Sequence, residues 1–381
     1  MVKMKGPQVP INRAHLPSTL LHKLTRLALP SDLQNFLSLP SRESFALKAP
    51  HSVDMGSLQE HTILVQKVCQ IYDKISKLET LKPSKNVDTL FTQLVLTCIP
   101  PSSIIISDLP NNIQEIRAKL VRLCGEAEGH LEAHFSTLLA TFPNPLDHLD
   151  VFPYYSNYLK LSHVEYDILN EQYSARTGPP KRVAFVGSGP LPLTSIVLAN
   201  YHLKETTFHN YDINPMANDM ACRLVSTDPD LSQRMAFHTS DILDVTDELK
   251  EYDVVFMAAL VGMDVDEKVK VVQHLEKYMA PESILMLRSA HGARAFLYPV
   301  VDPQDLQGFE VLSVFHPVDD VINSVVIARK YPITAKIDHH DHHHELEIGS
   351  VMPSSCKYCD FKMFNNPLNQ MNMIEELAID E

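Results

Sequence analysis

The chain has 381 residues, 45% of them hydrophobic, enough for two packed domains with tails, since a single core seldom grows beyond roughly 250 residues. No run of about 18 uncharged apolar residues occurs, so no segment reads as a membrane-spanning helix. With 33 basic against 47 acidic residues, the formal charge of −14 repels phosphate backbones and argues against nucleic acid as a partner.

Six cysteines (Cys69, Cys98, Cys124, Cys222, Cys356, Cys359) are scattered, and no signal-peptide core precedes them, so a reducing compartment, the cytoplasm, is expected. The first 55 residues stand apart. Up to residue 50 they carry seven Lys or Arg against two acids, with Pro and Ser throughout. An organelle transit peptide and a poorly ordered extension both fit that composition.

Helices follow. Ile63, Leu64, Val68, Ile71, Tyr72 and Ile75 recur at three-to-four spacing, which predicts an amphipathic helix over 58–77. A second begins near Asn86 and stops at Pro100-Pro101, which cannot continue it. A third spans roughly 112–140, and a shorter one 162–173. On the third, Ile113, Ile116, Leu120, Cys124, Ala127, Leu131 and Phe135 form one stripe at 3.6 residues per turn, with Glu128 at its edge and Glu126 on the far side.

After the breakers Arg176-Thr177-Gly178-Pro179-Pro180 the pattern changes to short β-branched runs at 182–186, 206–211, 234–239, 253–259 and 284–288, separated by helical stretches such as 266–279. That is the βαβ rhythm of a parallel sheet. Two further runs, 309–315 and 321–328, have only a short turn between them and predict an antiparallel hairpin. The fold class expected is therefore α/β: a class I methyltransferase-like Rossmann domain with an antiparallel terminal hairpin, preceded by an all-α domain.

Gly187-Ser188-Gly189 sits directly after the first strand, where two glycines let a ligand approach the backbone, and Pro190 suits the start of a helix. The third glycine of the dinucleotide fingerprint is absent. Asp212 ends the next strand, 23 residues past Gly189, where a carboxylate can accept ribose hydroxyls, and Asp241 follows the third strand at the adenine end. Together they predict a nucleoside site; as helix caps the two acids have a purely structural reading.

The strings Asn144-Pro145-Leu146-Asp147-His148-Leu149, Phe152-Pro153-Tyr154-Tyr155, Val186-Gly187-Ser188-Gly189-Pro190-Leu191-Pro192-Leu193-Thr194-Ser195 and Leu287-Arg288-Ser289-Ala290-His291-Gly292-Ala293-Arg294-Ala295-Phe296-Leu297-Tyr298-Pro299 resemble the plant-type nicotianamine synthase family, over about residues 60–330. The resemblance implies a helical domain (56–176) over an S-adenosylmethionine-binding domain (177–332). It also implies condensation of three S-adenosylmethionine molecules to nicotianamine, a metal chelator, with release of methylthioadenosine and no cofactor beyond that substrate. It places a reaction-centre glutamate and tyrosine at Glu128 and Tyr154.

The chemistry needs such a base, because an α-ammonium must lose a proton before it can displace a sulfonium, and a carboxylate screened from water accepts a proton nearer neutral pH. Arg288 and Arg294, just beyond the fifth strand, are candidates to clamp substrate carboxylates; an ion pair is the competing reading. The tail 333–381 carries Asp338-His339-His340-Asp341-His342-His343-His344 and Cys356-Lys357-Tyr358-Cys359, which suit weak metal capture but no defined metal site. An S-adenosylmethionine-dependent methyltransferase and a non-catalytic metal-handling protein are the alternatives.

Overall fold

The computed structural model describes residues 55–332. The basic leading segment and the His- and Cys-bearing tail lie outside the described residues. Four helices come first: α1 (Met55–Ile75), α2 (Lys85–Cys98), α3 (Asn111–Leu139) and α4 (Tyr155–Leu169). The Ser84 hydroxyl accepts from the Val87 amide and caps α2, and the prolines after Ile99 end it. Val68, Ile71 and Ile75 of α1 bury against Leu90, Leu94 and Cys98 of α2 and Leu120 and Ala127 of α3, the faces that the spacing predicts.

Helix α4 starts seven residues before the run read from sequence. Its inner face is carried by Tyr158, Leu161, Ser162, Glu165 and Leu169, and the fully buried Ser162 and Glu165 interrupt the apolar signal. Tyr155, read as part of a loop, is the first residue of this helix.

Gly178, at φ +83°, breaks the chain direction ahead of the sheet. Strands β1 (Arg182–Val186), β2 (Thr207–Asp212), β3 (Met235–Thr239), β4 (Val254–Met257), β5 (Ile284–Ser289), β6 (Phe309–Phe315) and β7 (Ser324–Lys330) form one sheet in the order β3-β2-β1-β4-β5-β7-β6. The first five pair in parallel, while β7 lies antiparallel between β5 and β6. This is the expected architecture with its reversed terminal pair. β7 begins three residues later than predicted, because Val321 belongs to the turn, where its amide donates to the Asp319 side chain.

Alternation along β1 assigns the two faces of the sheet. Val183 and Phe185 join Leu139 of α3 and Leu161 and Leu169 of α4 in one core. Ala184 and Val186 join Val271, Val272 and Leu275 in another, from the helix that follows β4. The helices α3 and α4 therefore lie on the sheet itself, with the middle of α3, Gly125 to Ala133, beside the turns that follow β1 and β4. Among the described residues no helix is long and apolar enough to cross a membrane.

Candidate active site

A cavity of about 910 Å³ opens at the carboxyl ends of the parallel strands, at the large end of the range for small-molecule sites. Its floor is the turn after β1. Gly187 and Gly189 hold φ of +77° and +67°, and a Cβ at Gly187 would stand 2.5 Å from a methyl of Val261. The Gly189 amide donates to Asp212 Oδ2 at 2.8 Å and the Asn214 amide to Oδ1 at 2.9 Å, which fixes the carboxylate at the end of β2. Asp241 caps a short 3₁₀ turn after β3, accepting from the Leu243 amide, and it also lines the cavity. Asp241 is thus cap and cavity wall at once, whereas Asp212 lines the cavity and the helix after β2 is capped by Asn214, which accepts from the Met216 amide. The Ser188 hydroxyl, 6% exposed, lines the same space with no hydrogen-bond partner among the described residues.

The opposite wall is α3, where Glu128 and Glu132 stand one turn apart. The Tyr158 hydroxyl of α4 donates to Glu132 Oε1 at 3.2 Å and lies 3.5 Å from Glu128 Oε1; the Tyr298 hydroxyl donates to Glu128 Oε2 at 2.9 Å. Both carboxylates are open to the cavity but walled by protein on every other side. Burial pushes the Glu128 carboxyl above its ordinary range, partly offset by the Tyr298 hydrogen bond, the Arg288 charge and Tyr158. Burial, and then the charge of Glu128, pushes Glu132 further up.

Arg288 continues the face of Ile284 and Met286 on β5, so its side chain points under α4. Its Nε and Nη2 donate to the two oxygens of Glu165 at 2.7 and 2.9 Å, and Nη2 also donates to Thr194 Oγ1 at 2.6 Å. The guanidinium lines the cavity, and the ion pair that holds it is buried rather than on the surface.

Arg294 is elsewhere. It donates to the carbonyls of Ile99, Asp319 and Pro317, stapling the turn before β7 to the end of α2, and it does not line the cavity. The two arginines therefore do not meet around one ligand, because a 3₁₀ turn at Gly292–Phe296 carries the second away from the strand end. Tyr154 packs edge-on to Phe152 at 5.9 Å and is likewise absent from the cavity wall. Tyr158, one turn on, reaches the carboxylates in its place.

Glu132, Tyr158, Tyr298, Glu165 and Thr194 escaped the sequence reading. Four carried a usable signal: Glu132 is four residues from Glu128 on the same helix face, Tyr158 is four from Tyr154, and Thr194 and Tyr298 stand inside the resembling strings. Among the described residues no group of three or more His, Cys, Asp or Glu is placed to hold a metal ion.

The sequence pattern of the family described as Nicotianamine synthase protein matches residues 57–335. Nicotianamine synthase of Solanum lycopersicum is 59% identical over 321 residues, covering 84% of this chain and 98% of that one. Nicotianamine synthase 3 of Arabidopsis thaliana is 57% identical over 332 residues, covering 86% and 99%. In three dimensions the chain is similar to MtNAS in complex with MTA and tNA, with a TM-score of 0.59 at 22% identity over 74% of this chain and 100% of that one. The structural likeness establishes the fold, a Rossmann-like sheet under a helical cap. The family follows from the match over residues 57–335 and from relatives spanned almost end to end: this chain belongs to the nicotianamine synthase family.

Proposed function

We propose that the chain joins three S-adenosylmethionine molecules by transfer of 3-amino-3-carboxypropyl groups, yielding nicotianamine and methylthioadenosine. The observation that carries this reading is a single cavity with a nucleoside end, at Gly187, Ser188, Gly189, Asp212 and Asp241, facing a buried carboxylate held by two tyrosine hydroxyls. A methyltransferase needs the first part only. MtNAS, which shares the fold, has been seen with MTA and tNA.

In each round, the Glu128 carboxylate takes a proton from the α-ammonium of the acceptor. The freed lone pair attacks the γ-carbon of the donor, and the carbon–sulfur electrons leave with sulfur, so the sulfonium becomes the neutral thioether of methylthioadenosine. The positive charge passes to nitrogen, and loss of a second proton leaves a neutral amine. In two of the three displacements donor and acceptor are different molecules; in the remaining one a nitrogen attacks the γ-carbon of its own chain, closing the azetidine ring and releasing the third methylthioadenosine. Tyr298 and Tyr158 keep the carboxylate pointed at the nitrogen, and its raised pKa brings its basicity nearer that of the amine. Tyr154 supports Tyr158 from behind through the Phe152 cluster.

The division into a helical domain over 56–176 and a nucleoside-binding domain over 177–332 fits these roles, since one supplies the base and the other the nucleoside floor. A cytoplasmic location fits the free cysteines at positions 69, 98, 124 and 222. Weak metal capture belongs to the tail beyond residue 332.

The test is mass spectrometry of the purified chain incubated with S-adenosylmethionine alone, beside Glu128→Gln. Methylthioadenosine and nicotianamine are expected from the wild type and neither from the variant. S-adenosylhomocysteine appearing on addition of a methyl acceptor would replace this reading by a methyltransferase.

A further inference from the structure

We infer that Glu132 is the binding residue for the α-ammonium of the donor molecule, the one seated on the Gly187-Ser188-Gly189 turn, so that the two carboxylates of α3 each serve a different amino group. This inference rests on the reaction proposed above and deepens it.

The geometry separates the two acids. Both oxygens of Glu128 lie beside tyrosine hydroxyls, from Tyr158 and Tyr298. Glu132 shares Tyr158 through Oε1 alone, and among the described residues no hydrogen bond reaches its Oε2. That oxygen lies 2.7 Å from where a Cβ on Gly189 would stand, directly over the nucleoside turn. A ligand bound on the turn therefore meets Glu132 before Glu128. The Ser188 hydroxyl and the Asn323 amide nitrogen line the same cavity, 6% and 7% exposed by residue, and neither has a partner. Buried polar atoms left unsatisfied at a cavity wall call for a polar ligand, and an amino-acid head group supplies both charges.

The chemistry needs a second carboxylate. Donor and acceptor carry identical α-amino groups, and only one of them is to be deprotonated. Glu128 has to remove a proton; Glu132 has to leave one in place, holding the donor nitrogen as ammonium and thereby non-nucleophilic. Burial and the nearby Glu128 charge push the Glu132 carboxyl well above the usual range, and a bound ammonium restores its ionised form. The sulfonium is the poorer partner. Its charge vanishes as the carbon–sulfur bond breaks, so a carboxylate against it would stabilise the ground state over the transition state, whereas the ammonium charge persists throughout.

Three probes separate these contacts: methylthioadenosine has neither charge, S-adenosylhomocysteine has the ammonium but no sulfonium, and S-adenosylmethionine has both. Calorimetry on the full chain would compare wild type with Glu132→Gln for the first two, and would measure the third in a Glu128→Gln background, where it is not consumed. Loss of a charge-assisted hydrogen bond should weaken S-adenosylhomocysteine and S-adenosylmethionine roughly tenfold or more and leave methylthioadenosine within about twofold. Glu132→Asp should recover part of the loss. Weakening of S-adenosylmethionine alone would assign Glu132 to the sulfonium and overturn the inference. Equal weakening of all three would reduce it to a structural role, and no change would remove it from the site. A wild type that binds none of the three would take down the proposed reaction as well.

Discussion

Glu128 is half in and half out of water in a way that sets the pH dependence of its chemistry. Its folded pKa is raised, first by burial, so in the proposed role of base its activity is expected to fall as pH drops through that raised value, above the usual carboxylate range near 4.3. The acid limb of the kcat/KM profile should lie correspondingly high, and Glu128→Gln should cut kcat by about 10² or more, read as methylthioadenosine release. Glu165 presents the opposite case, since it does not line the cavity. It is 1% exposed and neutralises Arg288, so Glu165→Ala leaves a buried guanidinium without its counter-charge and should cost about 3–5 kcal/mol in denaturant unfolding. At this scale the helical stripe put Glu128 at a half-buried edge and the spacing from Gly189 put Asp212 at the end of β2, and both positions stand on the cavity wall. The sequence did not disclose which tyrosine reaches the carboxylate, because Tyr154 precedes α4 and Tyr158 lies inside it, a distinction of one turn. Nor did the sequence separate Arg288 from Arg294, whose directions part only at the 3₁₀ turn that carries Arg294.

Among the elements, the loop from Ala258 to Met263 between β4 and the helix α5 (Val265–Tyr278) forms one side of the cavity. It is held by the Lys268 ammonium, which donates to the Ala259 carbonyl at 2.8 Å, and by the Asp264 cap and Glu267 side chain at the start of α5. Gly262 makes the bend at φ +69°, and a Cβ there would come within 2.8 Å of the Lys268 backbone. Gly262→Ala should therefore destabilise by more than about 1 kcal/mol and weaken nucleoside binding together with the fall in Tm. Strand and helix order were readable from the sequence because each element has a clean period, 2 in the hairpin and 3.6 in α1 to α3. The start of α4 was not, because its inner face is half polar. Ser162 and Glu165 look like surface residues until Arg288 and the sheet are placed beneath them.

For the molecule as a whole, acid is the condition to avoid. Burial, followed by the positive field of neighbouring histidines, lowers His202, His209 and His316 to about 4. Each is neutral in the fold and takes up a proton more readily when unfolded. Between about 6.5 and 4 the unfolded chain binds more protons, so stability falls as pH is lowered through that window. The raised carboxyls of Glu128 and Glu132 act the other way, since they favour the fold when protonated and lose that contribution as pH rises. His238 and His291 are lowered as well, and Asp88 and Asp167 raised, so among the described residues five histidines against four carboxyls should leave a net fall in Tm from pH 7 to pH 4.5, measured by scanning calorimetry. His209→Asn should flatten that fall.

β6 is the outer strand of the sheet on its antiparallel side, and its ladder with β7 slips between Val311 and Ser313, so that Leu312 is one residue too many for its partner. Such a bulge bends and twists an edge, and a bent edge offers a poor template to another chain's strand. In a crowded solution of identical molecules, that single unpaired residue works against sheets joining end to end, and so favours catalyst over fibre.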